Sequence, residues 1–336
     1  MSSLGRIFVY ASVASVLVFL AITDQIEIPT IHRPLVFVAS VALLLAAFAF
    51  ETFPWNRLLV SAGRRANISC VVASIGLPVF GKYIPGKVWA IVGRTEYTAS
   101  VLNAPRKEIA VLALDAQIIV IWCGLSLGLG AAPLFGISGH LLVLSMLGWC
   151  LVTAMLFSTM LRTSVESVTR RVFRVELELP SLGSRTLVPV FVGYFVQWLL
   201  WCLGFWLLAI SLSVSAVPVL VGLSFALAAS LGIVAFVAPG GLGVREGVLV
   251  FAITSAGAPL VDATTVAVAS RAWFLIGETF IFALGAVMAR WCRHDPQTAE
   301  AAEDAAPEEM TAPGGKGSAS WRRAAKRGWR WSPSVA

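Results

Sequence analysis

Long apolar runs follow one another from Ile7 to Ala289, and they restrict the chain to one kind of solvent. Ile7–Thr23, Leu35–Phe53, Ile109–Ala131, Leu141–Leu161, Leu187–Leu212, Val217–Val237 and Thr264–Ala289 each approach or exceed the ~20 residues that carry a helix across a ~30 Å hydrocarbon layer. Only 13% of the 336 residues are charged and 58% are hydrophobic, against about 25% charged in soluble domains. A water-facing surface cannot be assembled from so few charges, which excludes a soluble enzyme. The expected fold class is all-α, a polytopic transmembrane helical protein of about eight spans plus short broken or re-entrant helices. The short basic start before Ile7 also fits a signal peptide. No small-residue cleavage site follows, so the first run reads as a transmembrane helix.

The interruptions are more informative than the spans. Ala66–Phe80 and Val88–Leu102 are apolar but reach only ~22 Å as helix, short of the hydrocarbon thickness. Between them lies Gly81-Lys-Tyr-Ile-Pro-Gly-Lys-Val88, which has the G-x-x-x-x-G-K spacing of a phosphate-binding P-loop. Val88 stands where that loop needs a magnesium-holding hydroxyl, and Pro85 removes a backbone N–H. The string therefore reads as a helix break at membrane depth, tolerated only inside protein or beside a wet cavity. A second break, Pro239-Gly-Gly-Leu-Gly-Val-Arg-Glu-Gly247, follows Val217–Val237 and precedes the short run Val248–Ala258. The membrane domain, residues 1–292, thus divides into halves 1–161 and 187–292 joined by a polar cytoplasmic stretch, 162–186. Each half carries one Gly/Pro-interrupted segment, a layout that admits an inverted repeat and points to a transporter's substrate site.

Charge sharpens the reading. Lys87 and Arg245 stand at the starts of the helices after each break, where the helix already presents partial positive charge and free N–H groups. That placement becomes sensible if an anion binds, and Gly240, Gly241 and Gly243 leave backbone N–H groups open as an anion nest. The alternative is an internal ion pair in which Glu246 neutralises Arg245 and caps the helix. Arg271 and Glu278 lie seven residues apart on one helix face and, with Asp115, are intramembrane ionisable groups. They are functional candidates, or a mutual pair that avoids lipid. Gly124 and Gly128 form a small-xxx-small motif that packs helices closely. Cys70, Cys123, Cys150, Cys202 and Cys292 are scattered and read as small apolar helix residues rather than disulfides or metal ligands. His32, His140 and His294 also stand alone. No metal site, cofactor or catalytic residue is expected.

Lys and Arg set the orientation. Arg57, Arg64 and Arg65, five arginines in 162–186, and Arg290 with Arg293 mark one side. Both termini are therefore expected in the cytoplasm, in a multi-pass protein of the cell (inner or plasma) membrane. The net charge of +7 follows from this bias and implies an anionic leaflet, not nucleic acid. Residues 293–336 are expected to be a disordered cytoplasmic tail whose basic, tryptophan-rich end, Trp321–Trp331, either docks on headgroups or stays solvated.

The stretches GKYIPGKVWAIVGR (81–94) and APGGLGVREGVLV (238–250) resemble the flippase-like transmembrane module of lysylphosphatidylglycerol synthases and its stand-alone relatives, over about residues 5–292. By that resemblance Lys82, Tyr83, Pro85, Gly86, Lys87 and Arg94 match the first family motif. Pro239, Gly240, Gly241, Gly243, Arg245, Glu246 and Gly247 match the second, and Arg271 resembles a basic residue of the last helix. The resemblance implies movement of a lipid between leaflets. The synthases carry a large soluble catalytic domain after this module, whereas roughly 45 low-complexity residues follow here, so aminoacyl-lipid synthesis is not expected of the chain.

The resulting expectation is a non-enzymatic lipid translocase for a phospholipid or lipid-linked sugar. Lys82, Tyr83, Lys87, Arg245 and the glycines 240, 241 and 243 would hold an anionic headgroup, with Arg94, Glu246, Arg271 and Glu278 lining or gating the site. Two alternatives stand beside it. One is a non-transporting partner of a glycosyltransferase or lipid-modifying enzyme. The other is a membrane transferase acting on a lipid phosphate, although no paired acidic cluster is present.

Overall fold

A computed structural model describes residues 30–83, 88–131, 139–157, 184–212, 219, 221–234, 241 and 243–292. Helices α1 (Pro34–Phe50) and α2 (Thr52–Ser61) form one 28-residue apolar rod that bends at Glu51. Pro34 sits in the first turn of α1, where its missing N–H costs nothing. Pro54 cannot donate to the carbonyl one turn earlier, which explains the break. Asn67 starts α3 (Ile68–Gly76), its Oδ1 accepting from the Ser69 N–H at 3.2 Å. Pro78 ends it, and a 3-10 turn (Val79–Tyr83) leads toward α4 (Trp89–Val101). α5 (Arg106–Ala131) and α6 (His140–Phe157) complete the first half. In the second half α7 (Ser184–Ser211) is long, α8 (Val221–Val234) and α9 (Val244–Ser255) are short, and α10 (Leu260–Cys292) is the longest described, at 33 residues or ~50 Å.

Leaving α6 aside, the described parts of the two halves repeat one order: a long element, two short ones, then a long one. Their packing is reciprocal. α3 lies on α10 and α8 lies on α5, while α1 lies along α7. Glycine makes both cross-half contacts. A Cβ on Gly76 would come within 2.2 Å of the Ile281 carbonyl oxygen, and one on Gly128 within 2.7 Å of the Leu227 backbone. The Gly124/Gly128 motif thus packs α5 against α8, as its spacing predicts.

Three contacts fix which ends lie together. The His32 N–H donates to the Ser211 carbonyl at 3.0 Å, joining the start of α1 to the end of α7. Arg64 pairs with Glu108 at 2.8 Å, joining the end of α2 to the start of α5. Cys70 and Cys292 form a disulfide between the first turn of α3 and the end of α10. The α3–α4 hairpin therefore enters from the Arg64 end, and the α8–α9 hairpin enters from the Ser211 end.

Several sequence expectations change. Four described helices, Pro34–Ser61, Arg106–Ala131, Leu187–Ser211 and Leu260–Cys292, are long and apolar enough to cross a membrane, so the count of about eight is not reached among the described residues. Of the expected span Val217–Val237, a 14-residue helix, Val221–Val234, lies in the described residues. Much of it is buried in protein. Cys70 and Cys292 are a disulfide and not two isolated apolar residues. They are separated by 222 positions and meet only because α3 lies along α10, which no local spacing could show. Cys123 and Cys202 are free and buried, as expected, and Cys150 is free but exposed. The first expected span, the central stretch up to residue 183 and the tail lie outside the described residues.

Candidate functional site

The site forms along one stripe of α10. Ser270, Phe274 and Glu278 recur every four residues and so project from the same helix face. This stretch falls near the middle of the ~50 Å helix, the depth at which both hairpins end.

The first hairpin reaches Glu278. Lys82 forms an ion pair with Glu278 Oε1. The Tyr83 hydroxyl donates to Oε2 at 2.7 Å. The Glu278 side chain is 1% exposed and that of Lys82 is 34% exposed, so one partner is locked in protein and the other borders open space. The 3-10 turn brings Lys82 and Tyr83 to the same carboxylate because α3, held by the Gly76 contact, runs against α10.

The second hairpin reaches Ser270. Arg245 is 6% exposed, and its Nη2 donates to the Ser270 carbonyl and hydroxyl oxygens at 3.2 and 3.3 Å. Its guanidinium lies over two rings, 4.8 Å from the Phe225 centroid and 5.0 Å from that of Phe274. None of the ion pairs among the described residues includes Arg245, and its Nε has no hydrogen-bond partner among them. The neighbouring Glu246 is engaged elsewhere. It accepts from the Gly243 N–H at 2.8 Å, capping α9, and pairs with Arg271 at 3.3 Å. Gly243 has φ +83° and Gly241 φ +71°, a region that favours glycine, and a Cβ on Gly241 would strike the Gly232 backbone at 2.9 Å. The glycines therefore let the second hairpin turn back closely on itself.

The two tips meet at Phe274. Lys82 Nζ lies 5.1 Å from its centroid and Arg245 Cζ lies 5.0 Å from it, so the two cations are at most about 10 Å apart. At that separation and an effective dielectric near 20 their repulsion is roughly 2 kcal/mol, which Glu278 offsets on the Lys82 side.

The alternatives weighed from sequence resolve against local pairing. Glu246 caps the helix and attracts Arg245 through space but forms its ion pair with Arg271, and the ion-pair partner of Glu278 is Lys82. Each acid instead serves the opposite partner, which sequence adjacency could not reveal. Arg94 is not brought to this stripe. It pairs with Glu51 at 2.7 Å, at the α1–α2 bend, beneath Trp55 and beside Gln197. Lys87, Pro85, Gly86, Pro239 and Gly240 lie outside the described residues. Sequence reading missed Ser270, Phe274 and Phe225. The first two were readable as i, i+4 neighbours of Glu278, whereas nothing local marks Phe225.

The described residues thus form an all-helical membrane architecture in which two hairpins converge on one long helix. More narrowly, the chain belongs to the family described as the lysylphosphatidylglycerol synthase TM region, whose model matches residues 6–285. Comparison with curated proteins and with solved structures returned no significant match.

Proposed function

We propose that the protein is a lipid translocase that moves an anionic or lipid-linked headgroup between leaflets, without enzymatic chemistry of its own. One observation carries this reading: Arg245 is a buried cation at membrane depth that forms no ion pair among the described residues, Glu246 and Glu278 acting on it only through space. Burying an ion without a counter-charge in direct contact costs several kcal/mol, which attraction from a distance offsets only in part. Ionisable groups kept at that cost inside membranes mark substrate paths. A phosphate would supply the missing charge and the acceptor for Nε. Lys82, whose partner Glu278 is fixed and whose own head borders open space, is the second cation available to that headgroup.

The reciprocal packing of the halves and the opposite ends from which the hairpins enter fit an inverted repeat, the arrangement used for alternating access. Under the positive-inside rule the Arg64 end faces the cytoplasm of the cell membrane. Acyl or prenyl chains would remain in lipid, so only the headgroup is desolvated.

The test is reconstitution in vesicles with headgroup-labelled phosphatidylglycerol, phosphatidylcholine and a prenyl-linked sugar phosphate. The expected result is protein-dependent leaflet exchange of an anionic lipid, lost in Arg245→Met. Exchange equal to that of empty vesicles for all three lipids would overturn the reading.

A further inference from the structure

We propose that the Phe274 ring is the partition between two half-sites, one opening toward each side of the membrane. This rests on the translocase reading for its purpose, but its geometry stands separately.

The two cations reach Phe274 from hairpins that enter from opposite ends of the bundle. Arg245 is anchored one turn before the ring, at Ser270, and Lys82 one turn after it, at Glu278. They therefore flank Phe274 along the α10 axis, with the ring between them. Neither flank is sealed. Beside the second tip, the Glu246–Arg271 pair keeps side-chain exposures of 23% and 20%, and Lys82 keeps 34% on the other flank. Between these open pairs stands one half-buried phenyl ring.

That ring cannot swing aside freely. Phe48 from α1 lies 5.1 Å from it, Trp201 from α7 lies 5.5 Å away, and Phe225 from α8 lies 5.8 Å away. Elements of both halves thus fix its position. An apolar ring between two partly exposed ion pairs would block ions and water by dewetting, and its faces attract the cations on both sides. A headgroup moving from Lys82 to Arg245 passes the edge of Phe274. Phe274 is therefore a positioning and occluding residue, distinct from the cations that would contact the headgroup.

The experiment reads sidedness and not lipid movement. Lys82→Cys and Glu246→Cys are made separately in full-length protein with Cys123, Cys150 and Cys202 replaced, oriented in vesicles. A membrane-impermeant thiosulfonate is then added to one side at a time. The expected result is labelling of position 82 from the Arg64 side alone and of position 246 from the Ser211 side alone. Adding Phe274→Ala should raise wrong-side labelling roughly tenfold or more, and Phe274→Tyr should keep the parent pattern. Phe274→Leu, which retains apolar volume but loses the flat ring, serves where the alanine variant does not fold, and should raise wrong-side labelling to a lesser degree. Labelling of either thiol from both sides with Phe274 present overturns the partition, as does unchanged sidedness in the folded alanine or leucine variant. Sided labelling without leaflet exchange would retire the translocase reading alone, and exchange with unsided labelling would retire the partition alone.

Discussion

Arg245→Met separates function from stability more sharply than any other single change. Methionine keeps an unbranched stem against Phe225 and Phe274 but removes the charge. The losses are two cation–π contacts, about 1–2 kcal/mol each when desolvated, and the charge-assisted bonds to Ser270, about 1.5–3 kcal/mol together. Ser270 is not orphaned, because its hydroxyl already donates to the Ala267 carbonyl at 2.7 Å. Against these losses stands relief of the desolvation of a buried ion, several kcal/mol, and of roughly 2 kcal/mol of repulsion from Lys82, while the repulsion from Arg271 and the attraction of Glu246 and Glu278 offset one another in part. The terms nearly cancel, so the variant should melt within roughly 5 °C of the parent in lipid-free detergent, the shift that about 2 kcal/mol produces. Leaflet exchange of an anionic lipid should fall roughly a hundredfold, since one charge-assisted contact of about 2.7 kcal/mol is lost only when a headgroup is bound. Thermal melting and exchange measured on one preparation decide the matter. A fall in stability of more than about 4 kcal/mol would show that the resting protein already satisfies Arg245, and the argument for an anion site would fail. Retained exchange would refute it from the other direction.

Other changes follow from the same contacts. Gly76→Ala places a Cβ within 2.2 Å of the Ile281 oxygen, so α3 must move off α10 and the melting midpoint should fall by the equivalent of about 1–3 kcal/mol. Gly247→Ala, where a Cβ meets nothing within 4 Å, should not lower it. Glu278→Gln keeps an acceptor for Tyr83 but leaves Lys82 without its counter-charge, so binding of an anionic lipid, read by native mass spectrometry, should tighten roughly fivefold, about 1 kcal/mol of coupling. Unchanged binding would show that Lys82 does not reach the ligand. Reductant should lower the melting midpoint of the parent by about 2–4 kcal/mol equivalent and leave Cys70→Ser unmoved, and peptide mapping without reductant should recover the Cys70–Cys292 pair.

The sequence made the solvent and the two breaks legible for one reason: apolar length and Gly/Pro interruption are local properties. Arg245, Glu246, Arg271 and Glu278 were marked by being charged where lipid or packed helix surrounds them, whereas Lys82 and Tyr83 were marked by the family motif they match. Who partners whom was not legible. Glu246 lies beside Arg245 in the chain yet faces Arg271, because helix neighbours at i, i+1 point in different directions. Glu278 faces Lys82, 196 positions earlier, through a contact that depends on α3 packing on α10. Phe274 and Ser270 carry no charge and so raised no local signal, although their four-residue spacing before Glu278 was present all along.

The central claim is that hairpins from opposite ends of the bundle bring Lys82 and Arg245 to one ring. Lys82→Cys with Arg245→Cys, in a background lacking Cys123, Cys150 and Cys202, tests it by thiol cross-linking in native membranes. Efficient intramolecular linkage is expected by a bifunctional reagent that spans the ~10 Å between the two cations plus the stem length that cysteine lacks at each position. Linkage only by reagents of several times that span would contradict it.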